Sequence, residues 1–169
     1  MYNKGIQSEN VMELDIHSSM PGDAGILSNL YMKPFLMEGV FYGSLEGFLQ
    51  SLRYQYECES VKIAMMCGVE AKMAGKERQI KNDTLYYMGE PFNRHSVWYK
   101  KLLERAFTSC FAQNESFQRA IYNTREMKLI HSIGKDDPSE TILTNSEFIG
   151  LLERLRPASE FIFKKSSLL

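Results

Sequence analysis

Apolar residues recur every three or four positions along most of the chain, and this helical repeat limits the possible folds more than any other feature of the sequence. A helix with this repeat has one apolar face, which must be buried against other elements. The segments that follow the repeat are Ser60–Cys67, Val69–Gly75, Ser96–Phe111, Glu115–Tyr122, Arg125–Ile130 and Asn145–Leu155. The sequence therefore predicts a mainly helical domain.

Two short segments have the pattern of strands instead. Val11–His17 alternates apolar and polar residues, which predicts a short half-buried strand. Phe35–Tyr42 is typical of a β-hairpin that turns at Glu38-Gly39, because tight hairpin turns need the positive φ that glycine readily adopts. Residues 75–96 and 136–140 carry turn signals and are predicted to be loops. The expected fold class is α+β, mainly α, with a short N-terminal hairpin.

The length of 169 residues fits a single domain. We expect a core over about residues 11–160 and short polar tails without function at residues 1–10 and 164–169. The first residues lack the apolar stretch of a signal peptide, and no segment approaches the roughly 20 apolar residues of a membrane span. These features predict a cytoplasmic protein without membrane contact.

The charges of the chain nearly cancel, with 20 Lys and Arg against 21 Asp and Glu. No overall field attracts such a protein to nucleic acid, so any contact with nucleic acid would be local. Cys58, Cys67 and Cys110 have no CxxC spacing and are expected to be buried free thiols. No metal-binding, phosphate-loop or nucleophilic-serine motif occurs, so we expect no metal or other cofactor.

One predicted helix begins directly after the hairpin. Ser44 is a good N-cap, and the helical repeat extends to about Glu57 or Cys58. The side chains expected to face the core from this helix are Leu45, Phe48, Leu49, Leu52 and Tyr56.

Glu46, Gln50 and Arg53 share a second, polar face of the same helix, because residues three and four positions apart are neighbours. A carboxylate there suits the cleavage of an N-glycosidic bond, in which positive charge develops on the sugar while an acid assists the leaving group. Asp136 and Asp137 are a second acidic pair. The alternative interpretation is structural: Glu46 as an acid that favours the helix dipole, Arg53 as a solvated residue, and Asp136 as part of a loop.

Short motifs spread over residues 25–156 resemble one protein family. The earlier motifs are Leu27-Ser28-Asn29-Leu30-Tyr31, Pro34-Phe35, Glu38-Gly39-Val40, Tyr42 and Ser44-Leu45-Glu46 with Gln50. The later motifs are Ala71-Lys72-Met73-Ala74-Gly75-Lys76, Phe111 with Gln113 and Asn114, Thr124 with Lys128-Leu129, and Gly150-Leu151-Leu152 towards Arg156. On these motifs the chain is similar to the NADAR (YbiA-like) family. The resemblance implies a compact, mainly helical protein that cleaves N-glycosidic bonds, either of ADP-ribose on guanine bases or of phosphoribosyl-amine intermediates of riboflavin synthesis.

The resemblance also implies a set of site residues. The family's glutamate falls on Glu46, and a basic residue one helix face later falls on Arg53, where lysine is usual. Ser28 and Asn29 would line the same pocket, and Gln50 would contact the substrate from the same helix.

Other positions depart from the family pattern. An acidic residue of the family's later loop falls on Asp136, but the tryptophan-glycine that normally follows is replaced by Ser139-Glu140. Gly47 stands where histidine commonly follows the glutamate, and Lys76 stands where arginine is common. The family's other pocket tryptophan is replaced here by Trp98 or His95, between which the sequence does not choose.

Three functional hypotheses follow. The first is an N-glycosidase for an ADP-ribosyl or ribosyl-phosphate substrate, with Glu46 as the carboxylate, Asp136 as its helper, and Arg53 and Lys76 facing a phosphate. The second is a protein of the same fold that binds or sequesters an ADP-ribose-like nucleotide without turnover. The third is an interaction protein in which the polar face is merely solvated. The partner is accordingly a small nucleotide or an ADP-ribosylated nucleobase, and the oligomeric state stays open.

Overall fold

The computed structural model describes residues 11–166, and the predicted N-terminal tail, residues 1–10, lies outside this range together with residues 167–169. The helices within it are α1 (Asp23–Leu27), α2 (Leu45–Ser51), α3 (Glu57–Ala64), α4 (Gly68–Lys76), α5 (Val97–Gln113), α6 (Glu115–Asn123) and α7 (Asn145–Ser166). The strands are β1 (Glu13–Asp15), β2 (Phe35–Met37), β3 (Val40–Tyr42), β4 (Thr84–Tyr87), β5 (Glu90–Asn93) and β6 (Lys128–Ile130). The predicted α+β, mainly helical class is confirmed.

The predicted hairpin is present as β2 and β3, which pair in antiparallel register. Glu38 and Gly39 connect the strands with φ values of 51° and 84°, as a two-residue turn with both central residues at positive φ requires. A second hairpin, β4 with β5, turns in the same way at Met88-Gly89. The prediction of a long loop over residues 75–96 was therefore wrong for residues 84–93, because β4 alternates in burial and pairs with β5.

Residues 125–130 were predicted to be helical, and this prediction was wrong. Lys128–Ile130 form β6, which pairs in parallel with β1. Leu129 points into the core while Lys128 is exposed, so the segment has the two-residue alternation of a strand. A segment of this length fits either period, and its pairing partner lies more than a hundred positions away in the sequence.

Helix α2 is shorter than the repeat predicted. It ends at Ser51, and the carbonyl of Leu52 accepts a hydrogen bond from the backbone N–H of Tyr86 in β4, at 2.8 Å. Because the chain turns there, Tyr56 starts α3 instead of continuing the apolar face, and 65% of it is exposed. The expected core position of Tyr56 was therefore wrong.

Helix α7 begins with a reciprocal cap. The hydroxyl of Thr144 accepts a hydrogen bond from the N–H of Glu147, whose carboxylate accepts one from the N–H of Thr144. Glu147 also forms a bidentate ion pair with the buried side chain of Arg94, at 2.7 and 3.0 Å. The helix continues through Pro157 to Ser166, so the segment from Lys164 onwards is helical as far as it is described.

The core lies where α2, α5, α6 and α7 meet. The buried side chains of these helices include Leu45, Phe48, Leu49, Leu102, Phe107, Phe117, Ile121, Phe148 and Leu152. Burying a side chain of this size contributes roughly 1.5–3 kcal/mol. This packing holds α2 rigidly, and α2 carries the polar face of interest.

The cysteines and the expected absence of a membrane span can also be compared with the structure. All three cysteines are free, but only Cys110 is buried, whereas Cys67 is half-buried and Cys58 is exposed. The expectation of three buried thiols was therefore wrong for Cys58 and met only in part for Cys67. None of the helices within residues 11–166 is long and apolar enough to cross a lipid bilayer.

Candidate active site

A polar cavity of about 490 Å³ opens beside α2. Its walls come from α2, α4, the segment after α1, and the chain between β6 and α7. A volume of this size is typical of a site for a small molecule. Six of the eight predicted site residues line it, namely Ser28, Asn29, Glu46, Gln50, Arg53 and Lys76.

Glu46 lies in the first turn of α2, where its position is fixed by two contacts. The Ser44 hydroxyl accepts a hydrogen bond from the N–H of Gly47 and so caps the helix. The N–H of Glu46 donates to the carbonyl of Asn29 at 2.9 Å, which joins the helix to the segment after α1. Only 8% of Glu46 is exposed, and that residue lines the cavity.

Gln50 and Arg53 hold the Glu46 carboxylate through a chain of hydrogen bonds. The Nε2 of Gln50 donates to the Oε1 of Glu46 at 2.8 Å, and the Nε of Arg53 donates to the Oε1 of Gln50 at 2.6 Å. The Nη1 of Arg53 donates to the backbone carbonyl of Arg78. The three predicted polar residues thus form one connected unit.

Burial raises the pKa of Glu46 above its usual value of 4.5. The hydrogen bond from Gln50 and the charges of Lys72, Arg53 and His131 act in the opposite direction and favour the carboxylate. A buried carboxylate whose pKa is moved towards neutrality is characteristic of catalytic sites. Glu46 is therefore a buried, hydrogen-bonded carboxylate and not a solvated helix residue.

Lys72 and Lys76 lie four positions apart on α4 and both line the cavity. Their side chains are exposed, and neither forms an ion pair within the described part of the chain. Together with Arg53 they provide positive charge next to Glu46, suited to a phosphate group. Lys72 was missed from the sequence, although its spacing from Lys76 places both on one helix face.

His131 is a second side chain that the sequence did not single out. It follows β6 directly and lines the cavity. Its Nδ1 lies 2.6 Å from the carbonyl of Ile16, so this nitrogen carries the proton that is donated. The Nε2 atom has no hydrogen bond to the protein within residues 11–166. The incorrect helix prediction for residues 125–130 concealed this position at the end of a strand.

The structure does not bring Asp136 into the cavity. Its Oδ1 accepts hydrogen bonds from the N–H and the hydroxyl of Ser146, at 2.9 and 2.8 Å, in the first turn of α7. The expected helper role of Asp136 is therefore corrected to the positioning of α7. Glu140 lines the rim of the cavity instead, where it forms an ion pair with Lys135 at 2.9 Å.

Neither Trp98 nor His95 lines the cavity. Trp98 packs against the second hairpin, with its ring 4.7 Å from that of Phe92 and 5.8 Å from that of Tyr87. His95 lies 3.3 Å from Asp83 at the base of that hairpin. The hairpin of β4 and β5 holds both residues outside the cavity, so the expected substrate contact of Trp98 is corrected.

The structure explains why position 47 is a glycine. A Cβ atom at this position would overlap the backbone carbonyl oxygens of Met66 and Ala64 at the end of α3. The close approach of α3 to α2 therefore excludes every larger residue at position 47, including the histidine that commonly follows the glutamate in the NADAR family.

Lys33 supports the wall of the cavity from behind. Its side chain is fully buried, and its Nζ donates to the carbonyls of Ile26 and Ser28 at 2.6 and 2.8 Å. Burial lowers the pKa of Lys33 to about 8. This amine fixes the segment that carries Ser28 and Asn29.

Metal chemistry has no evident ligand set within residues 11–166. No three side chains of His, Cys, Asp or Glu in this range lie close enough together to hold an ion. The groups that the cavity offers are a carboxylate, a carboxamide, an imidazole, hydroxyls and cations, which suit proton transfer and the binding of anions.

Comparison with known proteins gives three matches. The family described as bacteriophage protein GP30.3 matches residues 22–157. A 17.1 kDa protein from the Gp30–rIII intergenic region of Enterobacteria phage T4, described as uncharacterized, is 37% identical over 150 residues, which are 85% of this chain and 97% of the relative. The NMR structure of the E. coli protein YbiA superposes with a TM-score of 0.60 and 15% identity, over 89% of this chain and 86% of that chain. At this identity the similarity shows the fold, and the YbiA-like fold implied by the resemblance is confirmed.

Proposed function

This chain belongs to the bacteriophage protein GP30.3 family, and we propose that it hydrolyses the N-glycosidic bond of a ribosyl-phosphate substrate, with ADP-ribose attached to a guanine base as the favoured case. The observation that carries the proposal is the buried Glu46 carboxylate, held by Gln50 in a cavity lined by cations. The YbiA-like fold supports it, as does the fact that several residues of the motifs that resemble the NADAR family line this cavity, namely Ser28, Asn29, Glu46, Gln50, Lys72 and Lys76.

The proposed reaction needs only water and the substrate. The bond from C1′ of the ribose to the base nitrogen breaks, its electron pair leaves with the nitrogen, and positive charge develops on C1′ and the ring oxygen. Water adds its oxygen to C1′, one of its protons is lost, and the base nitrogen gains a proton. Glu46 in its ionised form stabilises the developing cation and accepts the proton of the water.

His131 is the group that we assign to the leaving base. Its Nδ1 donates to the carbonyl of Ile16, and its Nε2 has no partner among the described residues. In the imidazolium form Nε2 carries the proton that passes to the base nitrogen, and after the reaction His131 regains a proton from solvent while Glu46 releases the one it took from water. This assignment replaces Asp136, which lies outside the cavity. Lys72, Lys76 and Arg53 hold the phosphate and thereby fix the sugar against Glu46.

The test is incubation of the full chain with ADP-ribosylated guanosine, followed by chromatographic separation of the products. The proposal predicts equal amounts of free guanosine and ADP-ribose. Simultaneous replacement of Lys72 and Lys76 by alanine should raise KM about tenfold with a smaller effect on kcat, because these cations bind the phosphate in ground and transition state alike. An unchanged substrate after long incubation with the wild-type protein would contradict the hydrolase.

A second candidate is a nucleotide-binding protein without turnover. It is favoured by the placement of Asp136 at α7, outside the cavity, and by the ion pair with Lys135 that occupies the Glu140 carboxylate at the rim. Calorimetry with ADP-ribose distinguishes the two functions. Tight binding of ADP-ribose without hydrolysis of the guanosine adduct would establish the binding protein.

A further inference from the structure

Strand β1 binds the two residues that follow β6. The N–H of Ile16 donates to the carbonyl of Ile130 at 2.9 Å, at the end of the pairing between the two strands. Beyond this bond, the carbonyl of Ile16 accepts a hydrogen bond from Nδ1 of His131 at 2.6 Å. The carboxylate of Asp15 accepts two hydrogen bonds from Ser132, one from its N–H at 3.0 Å and one from its hydroxyl. Two consecutive residues of β1 thus hold two consecutive residues of the chain that leaves β6.

The contact with Ile16 determines which nitrogen of His131 carries a proton. A backbone carbonyl can only accept a hydrogen bond, so Nδ1 is the donor whether the imidazole is neutral or charged. In neutral His131 the Nε2 atom is therefore without a proton, and the proton that the imidazolium gains is on Nε2. A rotation of the ring away from Ile16 would remove this preference for one tautomer.

The backbone after Ser132 also restricts the imidazole. A Cβ atom at Gly134 would lie 2.7 Å from Cδ2 of His131, so the chain passes close to the edge of the ring at this point. Phe148 packs against the same ring, with its centroid 5.3 Å away and the two planes at 75°. Because Gly134 is only two positions beyond Ser132, the hydrogen bonds from Ser132 to Asp15 fix where this backbone runs.

We propose that Asp15 is a positioning residue that acts through His131. Its hydrogen bonds to Ser132 hold the chain after β6, and this keeps Nδ1 of His131 on the carbonyl of Ile16 and Nε2 free for a substrate. Asp15 does not line the cavity that contains Glu46, so it acts without touching a ligand there. The inference rests on the proposed function, because the orientation of His131 affects catalysis only if His131 protonates the leaving base.

The first test follows the tautomer of His131 in the full chain by ¹⁵N NMR, at a pH at which the imidazole is neutral. Wild type should show a proton on Nδ1 and none on Nε2, whereas Asp15→Ala should show a mixture of both tautomers. Asp15→Asn keeps an acceptor for the N–H of Ser132 and should preserve the wild-type pattern. The matched control is Asp137→Ala, because Asp137 binds the N–H and the hydroxyl of Ser139 in the same way but does not line the cavity.

The second test measures kcat and KM on ADP-ribosylated guanosine. Asp15→Ala should lower kcat at least tenfold and leave KM within about twofold, because a misplaced acid affects the transition state and not the binding of the phosphate. Asp15→Asn should retain kcat within about threefold of wild type. In a protein that already carries His131→Ala, Asp15→Ala should change kcat by less than about twofold, since its effect passes through His131.

The inference is overturned if Asp15→Ala leaves the tautomer of His131 as in wild type, whether or not the protein hydrolyses the substrate. It is equally overturned if Asp15→Asn is as impaired as Asp15→Ala, which would assign the effect to charge, or if the two replacements lower kcat independently. An Asp15-dependent tautomer in a protein without hydrolysis supports the positioning role and contradicts only the hydrolase. If Asp15→Ala does not fold, Ser132→Ala takes its place in both tests, because it removes the hydroxyl bond alone.

Discussion

Gly75 of α4 lies directly against the carboxamide of Gln50, so that a Cβ atom at position 75 would overlap the Oε1 and the Cδ of Gln50. The carboxamide has little freedom to move, because it donates to Glu46 and accepts from Arg53. A glycine in one helix thus determines where the candidate catalytic carboxylate of another helix is held.

Gly75→Ala should lower kcat/KM for ADP-ribosylated guanosine at least tenfold, since Gln50 must leave Glu46 to make room for the methyl group. The same change should destabilise the protein by about 1–3 kcal/mol, the usual range for overpacking, despite the higher helix propensity of alanine. Activity assays and urea unfolding measure the two effects.

Gly150→Ala is the matched control, because Gly150 also lies within a helix but has only the end of the Arg154 side chain near its Cβ position, at 3.8 Å. We expect it to increase stability by about 0.4–1 kcal/mol and to leave kcat/KM unchanged. Equal activity of the Gly75 and Gly150 variants would contradict the role of the close approach at Gly75.

The pH profile of kcat/KM should fall on the acid side with an apparent pKa above the usual 4.5 of glutamate. Burial raises the pKa of Glu46, and protonation removes the charge that the reaction requires, so activity is lost as the pH falls through the raised value. Lys72 opposes this rise, and Lys72→Gln should therefore move the acid limb to higher pH. Lys62→Gln, outside the cavity, should leave the limb in place. An acid limb at or below 4.5 would count against Glu46.

The lowered pKa of Lys33 should make the stability of the protein depend on pH in an unusual way. Its pKa is about 8 in the folded protein against 10.5 as the reference value. Between these values the unfolded chain binds more protons than the folded one, so the contribution of Lys33 to stability increases as the pH rises. Urea unfolding gives the free energy of unfolding of wild type and of Lys33→Met at each pH. Between pH 7.5 and 10 the value for wild type should rise relative to that of the variant by on the order of 2 kcal/mol. A difference that is constant with pH would show that Lys33 does not titrate in this range.

Arg94→Met should destabilise the protein by about 3 kcal/mol, because it leaves Glu147 partly buried without its bidentate partner. Arg154→Met removes an ion pair with Glu104 on the exposed surface and should cost less than about 1 kcal/mol. Thermal or urea unfolding of both variants checks the contrast. Similar losses would mean that the buried pair has no special weight in positioning α7.

Local patterns in the sequence predicted much of what the structure shows. Ser44 as a cap, the turn at Glu38-Gly39, and the common face of Glu46, Gln50 and Arg53 depend on residues a few positions apart, and each was predicted correctly. The presence of a cavity at that face depended on the family resemblance, since helical spacing alone fits a solvated face equally well.

Longer-range relationships account for the errors. Strand β6 forms because β1 pairs with it. Helix α2 ends where the backbone N–H of Tyr86 donates a hydrogen bond to the carbonyl of Leu52. The pairing of β1 with β6 places His131 at the cavity, whereas the hydrogen bonds from Ser146 hold the carboxylate of Asp136 outside it. Such contacts join distant segments, and periodicity within one segment carries no information about them.

The most direct test of the account compares the single-turnover rate of wild type with that of Glu46→Gln on ADP-ribosylated guanosine. The account predicts a loss of at least a thousandfold with unchanged ADP-ribose affinity, because glutamine keeps the shape of the side chain but neither carries the charge nor accepts the proton of water. The variant should be at least as stable as wild type at pH 7.5, since it removes a buried carboxylate whose pKa is raised. Equal rates for the two proteins would contradict Glu46 as the catalytic carboxylate.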